Sequence, residues 1–371
     1  MNMKDNWKYI LFEDCLQKVK YTNKVFSSDY LKKGTYPIIS QEEAFVSGYW
    51  NNEDDVFRVQ KPVVIFGDHT RVLKYVDFDF VIGADGVKIL LPKDALNTKF
   101  LKYYLYWYNI PNLGYSRHYK LLKELYIPVP TLSIQEAIVA ELDKLNEILT
   151  KKHEQLKELD RLGQAVFYDM FGDPDNNEKK WLIQRFGDIA SVIGGFAFKS
   201  DSFNIKGIPV LKIGNINTGI FKQDNLCFYA YDSKLCKYEV YPNDLVISLT
   251  GTVGKGDYGN VCILPDTYKC YYLNQRNAKL ETYGLYQNMF LKYLLSDKKI
   301  KSFLTRNCRG VRQANILNKD IENLKLILPS LDIQAIFVEK VVSLENQKQK
   351  IKQSIVEVQQ LLDYTMNKYF G

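Results

Sequence analysis

The stretch Pro128-Val-Pro-Thr-Leu-Ser-Ile-Gln135 returns as Ile327-Leu-Pro-Ser-Leu-Asp-Ile-Gln334, 199 positions further along this chain of 371 residues. The same offset continues without a gap, so that residues 130–172 align with residues 329–371. Both copies finish with the pair Phe-Gly, at 171–172 and at 370–371. A repeat of this length indicates two copies of one structural unit.

The segments in front of the repeated stretches also match, although more loosely. Residues 7–12 correspond to residues 181–186, because both begin with Trp and end with Phe, at an offset of 174. The second half therefore carries 25 more residues than the first. We expect two diverged segments, each followed by a conserved one. The predicted boundaries are 1–130 for the first diverged segment, 131–172 for the first conserved one, 173–328 for a linker and the second diverged segment, and 329–371 for the second conserved one.

The conserved segments have the apolar spacing of long helices. Apolar residues recur at alternating steps of four and three, which places them on one stripe of a helix that packs against another helix. From 133 to 170 such a helix is about 57 Å long at 1.5 Å per residue, and Ser133 or Asp332 is expected to cap it. The stripe comprises Ile138, Leu142, Leu145, Leu149, Leu156 and Leu159 in the first copy, and Phe337, Val341, Leu344, Ile351, Ile355 and Val358 in the second.

A lone helix of this length does not bury its own apolar stripe. The order of the segments favours an antiparallel coiled coil that acts as a rigid strut between the diverged segments. The alternative is that both helices belong to an ordinary helical core. Each copy has a basic residue in the stripe, Lys152 in the first and Lys348 in the second, which helps to set the register of the pair.

The diverged segments combine short strands with one helix each, so the predicted fold class is α+β with an internal pseudo-twofold repeat. Helices are predicted at 98–108 and at 285–304 because both stretches have apolar residues three or four positions apart. Strands between turns with Gly or Asp are predicted at 62–67, 80–82, 87–91, 244–248, 260–264 and 278–280.

The composition narrows the class of protein. With 46% apolar residues the chain has enough material for real cores, yet no apolar run reaches the length of a membrane helix. The six cysteines are scattered without a C-x-x-C pair, which is typical of a protein in a reducing cytoplasm and argues against a zinc site. The net charge of +7 is compatible with nucleic-acid binding but does not prove it.

Three patterns resemble catalytic motifs, but none of them indicates a catalytic site. Gly251–Gly256 resembles a phosphate loop, but Leu249 stands where the first Gly is required and Gly256 where Ser or Thr is required, so we interpret it as a turn. The acidic and basic residues of 174–180 are better interpreted as an interdomain linker. Asp68-His69 lacks a nucleophile elbow, which favours a turn or surface position. We expect no catalytic activity, no cofactor and no metal.

Basic and amide side chains cluster on two glycine loops. Residues 298–312 contain six Lys or Arg and lead into Gln313, and the corresponding loop of the first half is 114–120. Arg and Lys suit phosphates and guanine, whereas Gln and Asn suit adenine. The alternative is a solvated basic face. The candidate DNA-binding residues are Arg71, Lys74, Arg117, His118, Lys120, Lys255, Arg276, Arg306, Arg309, Arg312 and Gln313.

With its internal repeat, the chain closely resembles the specificity subunit of Type I restriction–modification systems over nearly its whole length. The loop 114–120 departs from the family pattern, because it lacks the Arg-Gln-x-Asn-Ile form of the second half. The motifs that carry the resemblance are Leu125–Gln135, Leu324–Gln334, Gly310-Val-Arg-Gln-Ala-Asn-Ile316, Gly195-Phe-Ala-Phe-Lys-Ser200 and Gly207–Ile216.

The resemblance implies that each diverged segment is a target recognition domain and that the two helices form an antiparallel coiled coil. It also implies a non-catalytic subunit that reads a bipartite target in double-stranded DNA. Two copies of an adenine-N6 methyltransferase subunit are the implied partners, and a translocating nuclease subunit can join them. The alternative is a coiled-coil scaffold that organises protein partners without reading DNA.

Overall fold

The computed structural model describes residues 7–306 and 313–371. The chain divides into two compact units, each of which combines strands, short helices and parts of two long helices. The first unit contains the residues up to Gln155 together with Ile351–Gly371, and the second contains Leu156–Lys350. Among the described residues, no helix combines the length and the apolar character that crossing a membrane requires.

From residue 7 onward, the first half of the chain contains eleven strands and three α-helices. Short 3-10 turns cover Phe12–Cys15, Ser27–Asp29 and Glu53–Asp55. The strands are β1 Lys8–Leu11, β2 Leu16–Gln17, β3 Lys24–Val25, β4 Tyr36–Ile39, β5 Gly48–Trp50, β6 Val56–Phe57, β7 Val63–Gly67, β8 Leu73–Val76, β9 Phe80–Gly83, β10 Val87–Pro92 and β11 Tyr126–Val129. The helices are α1 Thr98–Tyr108, α2 Tyr119–Lys123 and α3 Leu132–Phe171.

The described residues of the second half contain twelve strands and five α-helices. Short 3-10 turns cover Ser200–Ser202, Ile213–Asn215 and Ser233–Tyr238. The strands are β12 Leu182–Arg185, β13 Ser191–Gly194, β14 Ile208–Leu211, β15 Cys227–Tyr229, β16 Glu239–Val240, β17 Leu245–Ser248, β18 Thr250–Thr252, β19 Val261–Ile263, β20 Tyr271–Leu273, β21 Asn277–Glu281, β22 Gln313–Asn315 and β23 Lys325–Leu328. The helices are α4 Phe186–Ile189, α5 Asn288–Ser296, α6 Lys298–Arg306, α7 Asn318–Glu322 and α8 Leu331–Phe370.

The two halves share their sheet topology. In each half the first strand pairs with the last strand, β1 with β11 and β12 with β23. A four-stranded sheet has the order β2-β10-β7-β8 in the first half and β13-β21-β17-β19 in the second. A second mixed sheet is built around β9 and β4, or around β20 and β14. The strands predicted from sequence are confirmed as β7, β9, β10, β17, β19 and β21. We call residues 7–129 the first domain and the described part of 182–328 the second domain.

The long helices begin earlier than predicted. Both α3 and α8 have 40 residues and start at Leu132 and Leu331. Ser133 and Asp332 therefore lie inside the first turn, and the prediction that they cap the helices is wrong. The carbonyl of Thr131 accepts the first helical hydrogen bond, from the N–H of Gln135 at 3.0 Å, which places the start of the helix directly after the proline of the repeated stretch.

All twelve residues of the predicted stripe are buried or half-buried in the structure. In the first unit, Ile138 and Leu142 share one apolar core with Leu362 and Met366. In the second unit, residues 167–171 of α3 share a core with residues 337–341 of α8. Within each unit the early part of one helix meets the late part of the other, so the two helices pair in antiparallel fashion. The stripe residues hold the helices together and are not exposed.

Lys348 interrupts the stripe in the second unit. Its side chain is only 8% exposed, and its ammonium lies 2.6 Å from Asp160 Oδ1 and 2.7 Å from Glu345 Oε1. These two carboxylates raise the pKa of Lys348 against the opposing effect of burial. The charge is therefore tolerated in the stripe because acids on both helices neutralise it.

The helix predicted at 285–304 is wrong as a single element. The structure divides it into α5 and α6 at Asp297, which is buried and has an extended backbone. Asp297 Oδ1 accepts the backbone N–H groups of Lys299 (2.8 Å) and Ile300 (3.2 Å). Asp297 thus caps a new helix, as acidic and hydroxyl residues do where a helix starts. The helix predicted at 98–108 is confirmed as α1.

Gln135 shows why the repeated stretch is needed. Its buried side chain accepts the backbone N–H of Asn97 at 2.7 Å and donates to the carbonyls of Ala95 (2.9 Å) and Pro130 (2.7 Å). Asn97 is the N-cap of α1, so one amide joins the start of α1 to the start of α3. Buried polar groups require such partners, because each one left unpaired costs about 1–3 kcal/mol.

Gln334 repeats this arrangement in the second unit. It accepts the N–H of Gln287, the N-cap of α5, at 2.9 Å, and donates to the carbonyls of Leu285 (3.1 Å) and Pro329 (3.0 Å). We call these two arrangements the glutamine clamps. Each of them fixes the angle at which a long helix leaves its own domain.

The far ends of the long helices are anchored by aromatic rings. Phe171, at the end of α3, is fully buried against Phe290, Phe337, Phe167 and Trp181, with ring centroids 4.7–6.1 Å apart. The second domain is therefore held by the end of α3 as well as by the start of α8.

Phe370, at the end of α8, has the equivalent position in the first unit. Its ring lies 5.4–5.9 Å from Phe100, Tyr104 and Trp107 of α1. Trp107 Nε1 also donates to Asn367 Oδ1 at 2.7 Å. The end of α8 thus completes the core of the first domain.

Candidate nucleic-acid interface

Two segments of the first domain meet through Asp68, which follows β7. Its carbonyl accepts the N–H of His118 at 2.8 Å, and its buried carboxylate accepts the N–H of Tyr119 at 2.7 Å. These bonds tie the turn 68–71 to the loop 114–118, although the two are almost fifty residues apart. Sequence reasoning missed this role, because a carboxylate that binds backbone N–H groups has no local pattern.

The basic residues of this surface are unequally available. Arg117 and Lys120 are exposed. Arg71 is half-buried in a left-handed conformation (φ 63°), and its guanidinium donates to the carbonyl of Ile110 at 2.9 Å. Arg117 and Lys120 are thus free to meet a polyanion, whereas Arg71 has part of its donor capacity in use.

Lys74 and His118 are buried and form hydrogen bonds with backbone groups inside the first domain. Lys74 is 4% exposed and donates to the carbonyls of Ser40, Ala44 and Phe45, and its burial lowers the pKa of the ammonium. Since its donors already have internal partners, Lys74 is unsuited to contact with DNA.

His118 is fully buried. One ring nitrogen, Nε2, accepts the N–H of Leu113 at 3.0 Å, and Nδ1 lies 2.9 Å from the carbonyl of Asp68. The ring thus staples the loop 113–118 onto the turn after β7. Its function here is to shape the surface, because neither nitrogen is left for a ligand.

Tyr115 was absent from the predicted interface, yet it is the most exposed aromatic residue of the first domain, at 95%. Its ring stacks on His69, with centroids 5.2 Å apart and an interplanar angle of 15°. His69 lies in the turn after β7, as predicted. Tyr115 could not be singled out from the sequence, because the chain contains 27 tyrosines and only the fold shows which of them are exposed.

The second domain builds its surface differently. Strand β18 pairs with β22 in antiparallel register, with Thr250 opposite Asn315 and Thr252 opposite Gln313. Within the described residues, the first domain has no strand pair between its corresponding segments 68–71 and 114–117. We call β18, β22 and the turn 253–256 the ribbon. The pattern that imitates a phosphate loop begins in strand β18 and continues as a turn, so the interpretation of Gly251–Gly256 as a turn holds for residues 253–255 and not for 251–252.

The predicted contact residues of the second domain are exposed wherever the structure describes them. Lys255 lies in the turn of the ribbon, Gln313 begins β22, and Arg276 and Arg306 are also exposed. The carbonyl of Arg276 accepts the N–H of Leu249, which directly precedes the ribbon. The structure thus brings Lys255, Gln313 and Arg276 to adjoining segments. The predicted residues Arg309 and Arg312 lie outside the described residues.

The backbone frame of the two surfaces is the same. In the first domain, the N–H of Asp68 donates to Gly86 (2.7 Å), and the carbonyl of Asp68 accepts from His118. In the second domain, the N–H of Leu249 donates to Arg276 (2.8 Å), and its carbonyl accepts from Ile316 (2.8 Å). The loop 114–117 therefore occupies the place of β22, which supports the correspondence inferred from sequence.

Comparison with known families identifies the class of protein. The model of the Type I restriction modification DNA specificity domain matches residues 4–160 and again residues 178–360. These two matches cover most of the chain, and the chain belongs to this family. The family assignment confirms the predicted class, a non-catalytic DNA specificity subunit, and accounts for the internal repeat.

Curated relatives of this chain are named specificity subunits of Type I restriction enzymes. The chain is 30% identical to the Type I restriction enzyme EcoR124I/EcoR124II specificity subunit of Escherichia coli over 194 residues, which are 48% of this chain and 46% of that protein. That alignment spans about half the length of the relative. The MjaVIII specificity subunit of Methanocaldococcus jannaschii is 22% identical over 400 aligned positions, covering 98% of this chain and 93% of that one.

A solved structure has the same fold over the whole chain. The S subunit of a Type I restriction–modification system from M. genitalium superposes with a TM-score of 0.59 at 17% sequence identity. The match covers 100% of this chain and 98% of that one. The likeness confirms the predicted fold class, two α+β domains that each lead into a long helix.

Proposed function

We propose that this chain reads a bipartite target in double-stranded DNA, one domain for each half-site, as the specificity subunit of a Type I restriction–modification complex. Two copies of an adenine-N6 methyltransferase subunit are its proposed partners, and a restriction and translocation subunit can join the complex. The host chromosome is then the substrate, which places the protein in the cytoplasm. The chain itself supplies recognition, and the chemistry belongs to its partners.

One observation carries the DNA-reading part of this proposal. In each domain, a single residue after a central strand, Asp68 or Leu249, ties two distant segments into one exposed surface. That surface presents basic side chains such as Arg117 and Lys255 beside amide or aromatic groups such as Gln313 and Tyr115. Basic groups bind phosphates and fix the position of a protein on a duplex, whereas amides and apolar groups read base edges.

The repeat of the helices supports two copies of one partner. Leu132 and Leu331 are 44% and 47% exposed, and Leu162 and Leu361 are 47% and 49% exposed. Each pair consists of residues 199 positions apart, so identity and exposure are both repeated. Each unit contains one leucine of each pair, Leu132 with Leu361 in the first and Leu331 with Leu162 in the second. Equivalent apolar patches are what two identical partners require.

The test is adenine-methylation sequencing of a host before and after this gene is exchanged, with the methyltransferase partner present. We expect a split motif with a constant central gap that appears and disappears with the gene. Binding of the purified complex to duplex DNA should weaken as salt rises, because phosphate contacts release counterions. Methylation that ignores the gene, together with no salt-dependent binding, would favour a scaffold that organises proteins without reading DNA.

A further inference from the structure

A third segment belongs to the surface of the first domain, the loop 40–47 between β4 and β5. Gln41 joins this loop to the turn after β7, because its Oε1 accepts the N–H of His69 at 3.1 Å and its carbonyl accepts the hydroxyl of Thr70 at 2.5 Å. A backbone hydrogen bond ties the same turn to the loop 114–118. The loop 40–47 therefore adjoins the surface that we propose for contact with DNA.

A buried lysine holds this loop in one shape. Lys74 is 4% exposed, and its ammonium donates to the carbonyls of Ser40 (2.9 Å), Ala44 (2.5 Å) and Phe45 (3.4 Å). Burial lowers the pKa of this ammonium, and the charge of Glu42 opposes that shift. Burying a charge is costly unless it finds partners, and the partners that the described residues provide here all belong to the loop. The shape of the loop is thus secured by a buried charge.

The ends of the loop are closed as well. Oγ of Ser40 lies 2.6 Å from Oγ of Ser47 and accepts the N–H of Glu42 at 3.1 Å. The N–H of Ser47 donates to the carbonyl of Ile38 at 2.9 Å. Because these bonds order the loop before it meets a ligand, binding costs less conformational entropy than it would for an unheld loop.

The outer side of the loop suits bases better than phosphates. Residues 42–45 are exposed and include two glutamates and no basic residue. Phe45 is 48% exposed, and its ring stands edge-on to Phe78 with centroids 6.1 Å apart. Carboxylates repel phosphates, so the loop does not serve the phosphate contact proposed for Arg117. In the major groove, by contrast, a carboxylate such as that of Glu43 accepts the N4 amino group of cytosine, and an aromatic ring packs on the methyl group of thymine.

The corresponding loop of the second domain is 212–226, between β14 and β15. Both loops connect the same two strands of their sheets, because β4 and β14 each pair in parallel with β9 or β20 and in antiparallel register with β5 or β15. The carbonyl of Asn217 accepts Nδ2 of Asn260 at 2.5 Å, so this loop also adjoins the segment that follows β17. The two domains thus carry a loop at the same place in the fold.

A different side chain holds the second loop. Asn215 is 1% exposed and donates through Nδ2 to the carbonyls of Lys222 (2.9 Å) and Asp224 (3.1 Å). This loop is longer than 40–47 and carries both basic and acidic residues. The two loops therefore share their position but differ in length, in charge and in the residue that orders them.

Two different half-sites require segments that differ between the domains and are held by a shared frame. Neither 40–47 nor 217–226 belongs to the motifs that carry the family resemblance. We propose that the loop 40–47 enters the major groove of the first half-site, where Phe45 packs on the methyl group of a thymine and Glu43 accepts the N4 amino group of a cytosine. Lys74 is the positioning residue of this loop. The inference rests on the proposed function and names the residues that set the preference of one half-site.

The experiment uses the full chain with its methyltransferase partner and selects bound duplexes from a library. The second half-site is kept at the sequence that methylation sequencing identifies, and the first half-site is randomised. For Phe45→Ala we expect one position to lose its preference for thymine by about fourfold, as the loss of one buried methyl contact predicts. Uracil in place of that thymine should weaken binding of the wild-type chain by the same factor and leave Phe45→Ala unaffected, because uracil lacks the methyl group.

Glu43→Gln tests the second contact. We expect a second position to turn from cytosine to adenine by about 5- to 150-fold, because glutamine pairs with the N6 and N7 atoms of adenine. The matched control is Glu154→Gln, which removes a carboxylate from an exposed position of α3 and should change no preference. The second half-site, kept constant in one library and randomised in another, is a control within the same molecule and should remain as in the wild type.

Lys74→Met tests the positioning residue. Both positions should relax together, while the slope of log K against log salt stays as in the wild type, because the ammonium of Lys74 makes no proposed phosphate contact. A domain that had merely lost its fold would also lose the phosphate contact of Arg117, and the slope would fall. If Lys74→Met does not fold, the exposed variants Phe45→Ala and Glu43→Gln still decide the question.

Two outcomes overturn separate statements. A wild-type motif that persists unchanged in both Phe45→Ala and Glu43→Gln overturns the loop 40–47 as the segment that selects bases. A wild-type complex that selects no split motif overturns the proposed function itself.

Discussion

The two domains agree where they meet the long helices and differ where we propose that they meet DNA. Gln135 and Gln334 make the same three hydrogen bonds, and Phe171 and Phe370 fill equivalent positions at the helix ends. By contrast, the loop between β7 and β8 covers only 68–72, whereas its counterpart covers 249–260 and contains β18.

This difference shows how the same backbone arrangement can support two different surfaces for the proposed contact with DNA. The backbone bonds of Asp68 and Leu249 are shared, so both loops are held at the same points. Apart from Tyr258 and Ala314, the residues between those points lie outside the apolar cores, and they can change in length and chemistry without loosening the helices. The second domain uses this freedom for a strand pair, and the first uses it for an aromatic stack.

The largest effects should come from the aromatic anchors. Phe171→Ala is expected to destabilise the second unit by about 3–5 kcal/mol, and Phe370→Ala the first unit by somewhat less, because truncating a buried Phe leaves a cavity and Phe370 is 9% exposed. Hydrogen exchange of peptides from each unit measures both. Leu162→Ala and Leu361→Ala, at exposed and equivalent positions of the same helices, are the matched controls. If both Phe variants loosened the same unit, the two anchors would not be equivalent.

The glutamine clamps should give the next largest effects. Gln135→Ala leaves one buried N–H and two carbonyls without their partner, which costs about 2–4 kcal/mol. Gln334→Ala is expected to cost the same in the second unit. Faster exchange of the amide of Asn97 or Gln287 reports the loss, and exposed Gln349→Ala serves as the control. A large effect in one unit and none in the other would contradict the shared role of the clamps.

Binding to DNA should respond more weakly to the exposed basic residues. Arg117→Ala in the first domain and Lys255→Ala in the second each remove one proposed phosphate contact. The slope of log K against log salt should decrease by about 0.9 for each, which corresponds to roughly a fivefold loss of affinity at about 0.15 M salt. Fluorescence anisotropy with a labelled duplex over a salt series measures the slope. Lys74→Met, whose ammonium is already bound inside the first domain, should leave the slope unchanged, and a decrease there would contradict the structure.

The smallest effect is expected at the polar break of the helix stripe. Lys348→Met removes a charge whose partners, Asp160 and Glu345, retain 71% and 32% exposure and can return to water. Removing one partner of a buried ion pair is costly only where the other charge stays buried, and here both acids can be hydrated, so we expect a change within about 1 kcal/mol. The same charge introduced by Leu149→Lys in the first unit would face Gln359, the equivalent of Asp160, and should destabilise that unit by several kcal/mol. Urea unfolding of both variants makes the comparison.

The sequence predicted those parts of the molecule that repeat or have a local period. The offset of 199 and the four–three spacing located both long helices and their buried stripe, and α1 was placed residue for residue. The break at Asp297 was missed because the apolar spacing continues across it, and only the buried carboxylate reveals a new helix start. Lys74 and His118 were predicted at the interface because burial through distant contacts leaves no trace in the local sequence. The ribbon was missed because its two short strands are far apart in the chain and have no detectable period.

The position of Phe370 also has a consequence for the order in which the molecule is made. The core of the first unit includes Leu362, Met366 and Phe370, which are synthesised long after the rest of that core, residues 7–149. Until then, the first half of α3 and the aromatic face of α1 lack part of their cover, although the first domain was synthesised long before. Transiently exposed apolar surface of this kind invites aggregation. A chain truncated before Leu362 should therefore be destabilised in its first domain, whereas the second unit, which comprises Leu156–Lys350, keeps all of its residues.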